Sequence, residues 1–148
     1  MNFRNNNISA FSKIRYEASY SHDNTVLLLQ FTGAYNPDGE GVFDGLYMHA
    51  MLAAHYFIYE PVAIILDLRD LEYTGGQTIL KSINFFGVIG RNDDEYRKQV
   101  VIIASPANKD AINDALSLLP HPNQEVCGTY DTAVRMAAQL VNRYLSGK

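Results

Sequence analysis

Thiols are scarce in this chain. Cys127 is its one cysteine, so no disulfide can close within it, and the composition fits a reducing compartment such as the cytoplasm. Metal ligands are short as well. Of the four histidines, His49 and His55 stand six residues apart, off the three- or four-residue spacing that puts two ligands on one helix face. Basic charge is outnumbered, with 12 Lys and Arg against 16 Asp and Glu for a net −4. A nucleic-acid surface needs a basic stripe. The nearest approach to one, Arg91, Arg97 and Lys98, is interrupted by Asp93, Asp94 and Glu95 and reads as a solvated loop. No P-loop lysine follows Gly75-Gly76, no dinucleotide-binding glycine pattern occurs, and the opening MNFRNNNISAFSK lacks the apolar segment of a signal peptide. These absences lead us to expect no metal, no cofactor, no nucleic-acid partner and no export.

What is present is organised around Val62 to Gly76, VAIILDLRDLEYTGG. The nearly unbroken apolar run from Val62 to Leu68 fits a strand covered on both faces, as in a parallel sheet. Pro61 stands ahead of it, where a missing amide donor is tolerated, and Thr74-Gly75-Gly76 breaks the extended pattern before a helical period begins. Ligands and partners of open α/β sheets are met beyond the carboxyl ends of strands. The turn Tyr73, Thr74, Gly75, Gly76, Gln77, Thr78 is therefore a candidate site.

Upstream, Ile14, Tyr16, Ala18 and Tyr20 alternate with polar residues, and His22-Asp23-Asn24 supplies a turn into TVLLLQFT, predicting a hairpin. Downstream, Gln77–Gly90 predicts one crossover helix, Gln99–Ala104 a short buried strand, and Ser105-Pro106 the capped start of a further helix. Gln124–Gly128 predicts a last strand, and Asp131 caps a closing helix with Val134, Ala137, Leu140, Val141 and Tyr144 at helical spacing. With 148 residues the expectation is a single α/β domain spanning 1–148, residues 1–12 a polar, flexible arm, with one mixed sheet in the order ββαβαβαβα.

The segment Glu40 to Tyr59 stands out because it is apolar around most of its circumference. Asp44, Gly45, His49 and His55 inside it, and the lack of flanking cations, argue against a membrane span. Phe43, Leu46, Ala50, Ala53, Ala54 and Phe57 share one face at helical spacing and are expected to cover the sheet. The other side, Met48, Leu52, His55, Tyr56 and Tyr59, is then expected to point outward, and is too apolar for water. Such a face marks contact with another chain or lies under the amino-terminal arm. We expect the interface, with a second copy of this chain as one partner the helix could take.

The element order resembles the STAS domain, the family of bacterial anti-sigma-factor antagonists. VLLLQFTGAYN is similar to its second strand and turn, VAIILDLRDLEYTGG to the strand leading to its signature loop, QVVIIASPANKDAI to the next strand and helix, and YDTAVRMAAQL to the closing helix. The resemblance spans nearly everything beyond Ser12 and implies a non-catalytic module acting by protein–protein interaction. One departure matters: regulatory members carry an aspartate followed by serines, one of which a partner kinase phosphorylates, and Tyr73–Thr78 lacks that pair. Thr74 and Thr78 remain as hydroxyls near a helix amino terminus, where a phosphate is tolerated but a plain cap is commoner.

Two other classes stay open. A small acidic protein with an apolar surface helix also suits an immunity protein that neutralises a bacterial toxin. A small enzyme would use the Gly75-Gly76 amides as an oxyanion hole, but Asp67, Asp70, Glu72 and Ser105 form no recognised constellation with it. The expected partner is thus another protein, a regulator or a toxin.

Overall fold

The structure is a computed structural model describing residues 1–4, 12–39, 41–90, 98–120 and 122–147. In chain order the elements are β1 (Arg15–Tyr20), β2 (Val26–Ala34), α1 (Gly41–Tyr59), β3 (Ala63–Asp67), β4 (Leu71–Glu72), a 3-10 turn (Gln77–Ile79), α2 (Leu80–Ile83), α3 (Phe85–Ile89), β5 (Gln99–Ile103), α4 (Lys109–Leu116), β6 (Glu125–Cys127) and α5 (Tyr130–Leu145). The apolar run after Pro61 becomes β3, all five residues buried, held in parallel between β2 and β5. The sheet order is β1-β2-β3-β5-β6, with β4 pairing β2 off this path. Among the described residues only the β1–β2 pair is antiparallel. Its turn forms because Asn24 accepts a left-handed backbone, φ 58°, a conformation that costs asparagine little.

Side chains alternate across each strand, so the sheet feeds two cores. Ile64, Leu66 and Leu68 join Leu27, Leu29, Phe31 and Ile102 beneath α1, α2, α3 and α4. Ala63 and Ile65 join Val101 and Ile103 beneath Ala133, Ala137, Leu140 and Val141 of α5. Among the described residues no helix is long and apolar enough to cross a membrane.

Helix α1 is rotated about its axis from the expected setting. Met48, Leu52 and Tyr56 are buried at 0 %, 0 % and 2 % exposure, whereas Phe43, Leu46 and Phe57 are exposed at 44 %, 43 % and 59 %. The cause lies in the first two turns. A Cβ at Gly41 would run into the Asn36 carbonyl, and one at Gly45 would sit 2.5 Å from Thr78 Cβ. The stripe that can approach its neighbours is therefore Gly41, Gly45, Met48, Leu52, Tyr56. Asp44, beside it, is also buried and accepts hydrogen bonds from the Asn36 amide (2.8 Å) and the Ser12 hydroxyl (2.6 Å). Those bonds carry the desolvation of its carboxylate.

Smaller differences have local causes. The expected helix over 77–90 is broken at Asn84, whose backbone (φ −106°, ψ 36°) separates α2 from α3. Thr129 rather than Asp131 caps α5, its hydroxyl accepting from the Thr132 amide at 3.2 Å. Ser105 and Asn108 make a reciprocal turn ahead of α4, so that helix starts at Lys109. Of the expected arm, Ser12 is tied to Asp44, while residues 5–11 lie outside the described residues, as does the charged segment 91–97.

Candidate partner-binding surface

The turn after β4 sits against the amino-terminal half of α1. Gly76 (φ 114°) adopts a backbone that favours glycine, so the chain can reverse there. Beneath it Tyr35 and Tyr73 meet edge to face, ring centres 5.2 Å apart, and Tyr73 donates its hydroxyl hydrogen to the Gly76 carbonyl at 2.6 Å. Thr78 donates to the Gly41 carbonyl at 2.8 Å, so the hydrogen bond between Tyr35 and Thr78 has the tyrosine as donor. The turn is thus fastened from below by buried side chains while Thr74, Gly76 and Gln77 face solvent. Thr78 is half-buried and both its bonds are structural; Thr74 is the exposed hydroxyl.

This arrangement offers little to catalysis. Burial, and then Tyr35, push the Tyr73 phenol up to about 12, and burial also raises Tyr35. Neither is a base at neutral pH. Asp67 is buried at the end of β3 and held by Arg69 through two bonds, Nε to Oδ1 at 2.9 Å and Nη2 to Oδ2 at 2.7 Å. Asp70 and Glu72 are exposed, and Ser105 is engaged with Asn108. Asn108 is nearly fully buried, its amide donating to the carbonyls of Leu68 (2.7 Å) and Leu71 (2.9 Å). Among the described residues no three His, Cys, Asp or Glu side chains come together as metal ligands.

Of the helix residues expected outside, Met48, Leu52 and Tyr56 belong to the core, and Tyr56 also accepts a hydrogen bond from Lys98 at 2.9 Å. His55 is half-buried between two tyrosines. Its Nε2 lies 3.2 Å from the Tyr16 hydroxyl and its Nδ1 3.3 Å from that of Tyr20, which also donates to the His55 carbonyl at 2.8 Å. Tyr59 alone of the five is exposed, at 52 %, its ring edge-on to Tyr20. The outer face of α1 is instead Leu46, Ala54 and Phe57, continued by Ile58 at 57 % exposure. No charge falls on it. Sequence reasoning saw that one face of the helix was too apolar for water but chose the wrong one. Gly41 and Gly45, four apart, were the signal that could have corrected it.

The contact of Gly45 with Thr78 locks helix to turn, and Gly45→Ala tests it. A methyl group there must displace Thr78, which is itself bonded to Gly41 and Tyr35. The expected loss is about 1 to 3 kcal/mol, read from denaturant unfolding; an unchanged midpoint would show that the turn is not locked.

No family model matches the chain, and no curated protein does. Among solved structures it is similar to the crystal structure of an anti-sigma factor antagonist from Mycobacterium paratuberculosis, with a TM-score of 0.60 at 14 % identity over 85 % of this chain and 95 % of that one. At that identity the likeness concerns architecture: this chain has a mixed α/β fold on a single sheet, with the strand–helix alternation of a STAS-like topology.

Proposed function

We propose that this chain is a single-domain, non-catalytic protein-binding module of the cytoplasm that meets its partner through the outer face of α1 and the adjoining turn Thr74–Gln77. The observation that carries the reading is the exposed stripe Leu46, Ala54, Phe57 and Ile58, a run of apolar residues on the surface of a STAS-like fold. Contiguous apolar patches are uncommon on proteins that act alone. The turn packed on the amino-terminal end of the same helix is solvent-facing and firmly held, so a partner would meet a preformed surface and lose little in ordering it. A toxin-neutralising role draws on the same apolar helix together with the small size and acid excess of the chain, and the α1 stripe carries none of that charge. We therefore favour a regulatory partner.

The double variant Leu46→Glu/Phe57→Glu tests this. Both positions are exposed, so thermal stability should change little, while two carboxylates at an apolar contact should weaken association by at least about tenfold. Wild-type and variant proteins would be used as bait in lysate of the source cell, with captured proteins quantified and solution mass measured. A partner held equally by both, or the absence of any partner and of self-association, would overturn the proposal.

A further inference from the structure

On the face of the sheet opposite α1, α5 packs over β3 and β5. It leaves part of the β1–β2 hairpin uncovered. Between them runs a groove of about 380 Å³. Val26, Leu28 and Ile65 form its floor, and Val134, Ala137 and Val141 of α5 its wall. Both are built on regular elements, so the shape is preformed. The size falls in the range of small-molecule sites.

The chemistry of the rim is one-sided. Among the described residues lining the groove, Asp23 is the sole charged one. Its Oδ1 accepts from the Ser21 hydroxyl (2.6 Å), the Thr25 hydroxyl (2.8 Å) and the Thr25 amide (3.2 Å), while Oδ2 accepts none of these. The Ser21 hydroxyl first, and then Thr25, bring its carboxyl down to about 2, so it is ionised at any physiological pH. A fixed negative charge beside an apolar trough disfavours fatty acids and other anions. It suits a cation carrying its own apolar body.

We propose that the groove is a binding site for a small organic ammonium compound, the ammonium on Asp23 Oδ2 and an aromatic or aliphatic body over Leu28 against Val134. The site lies on the other face of the sheet from the surface of the proposed function and stands independently of it.

Paired probes of equal shape and opposite charge, 4-phenylbutylamine and 4-phenylbutanoate, test the site by titration of isotope-labelled protein in solution NMR. The amine is expected to shift amides of Ser19–Leu28 and of α5 from Val134 to Asn142, and to bind on the order of tenfold more tightly than the acid. Asp23→Asn should abolish that preference while its amide oxygen still accepts from Ser21 and Thr25. Ala138→Leu, at an exposed position lining the groove, should block the amine without disturbing the core. Equal binding of the two probes, shifts elsewhere, undiminished binding to Ala138→Leu, or no saturable shift at millimolar amine would each overturn the proposal. So would the same amides shifting with protein concentration alone, which would make the occupant a second copy of the chain.

Discussion

Replacing Leu52 with glutamate is expected to unfold the protein. Leu52 is fully buried in the core that α1 shares with β2 and β3. Truncating such a leucine to alanine costs about 2 to 5 kcal/mol. Glutamate adds an unpaired carboxylate in an apolar environment, worth several kcal/mol more even after relaxation. Set against a total stability of about 5 to 15 kcal/mol for a protein of ordinary stability, the native state should be lost or nearly so. Ala54→Glu on the same helix is the control. Ala54 is exposed, and its melting temperature should stay close to wild type. Circular dichroism melts of the two variants read the rotation of α1 directly. A folded Leu52→Glu protein with a wild-type melting temperature would mean that Leu52 faces outward after all.

Asn108→Ala is expected to be the next most damaging change, though it removes few atoms. The Asn108 amide nitrogen bridges the carbonyls of Leu68 and Leu71, which bound the corner between β3 and β4, and its oxygen accepts from the Ser105 amide at 2.9 Å. Alanine leaves three backbone groups without these partners at a position 1 % exposed. The Leu68 carbonyl keeps the Leu71 amide at 3.1 Å, and each group left with no partner costs about 1 to 3 kcal/mol, less whatever an entering water restores. We expect a loss on the order of 3 kcal/mol in denaturant unfolding, and Asn108→Asp should restore only the bond to the Ser105 amide. A loss below about 0.5 kcal/mol, the level of an ordinary surface substitution, would show that the corner does not depend on this side chain.

The strands were legible because their signal is one-dimensional. Val62–Leu66 and Val100–Ala104 are apolar without a break, and in so short a length such a run fits a strand buried on both faces. The hairpin was legible for the complementary reason, an alternation with Asn24 at its tip. Helix α1 was found but not oriented. Both of its sides are apolar, so periodicity cannot choose between them, and the choice fell to Gly41, Gly45 and the contacts of Asp44, which depend on residues distant in sequence. The break at Asn84 was hidden for a related reason. Ile79, Ile83 and Phe86 keep helical spacing across it and all three are buried, so the core tolerates an interruption that the pattern does not record. The turn Tyr73–Thr78 was placed correctly in the chain, but nothing local revealed that Thr78 is spent on holding α1.

The clasp between β1 and α1 fixes where individual protons sit. The Tyr20 hydroxyl hydrogen points to the His55 carbonyl, so toward the imidazole Tyr20 can offer only a lone pair. Nδ1 must then carry a ring hydrogen to bond Tyr20, and in that tautomer Nε2 accepts from the Tyr16 hydroxyl. One tautomer and two hydroxyl rotamers are thereby selected together. In that tautomer the contact between hairpin and helix has a direction, running from Tyr16 through the imidazole to Tyr20 and ending on the helix backbone.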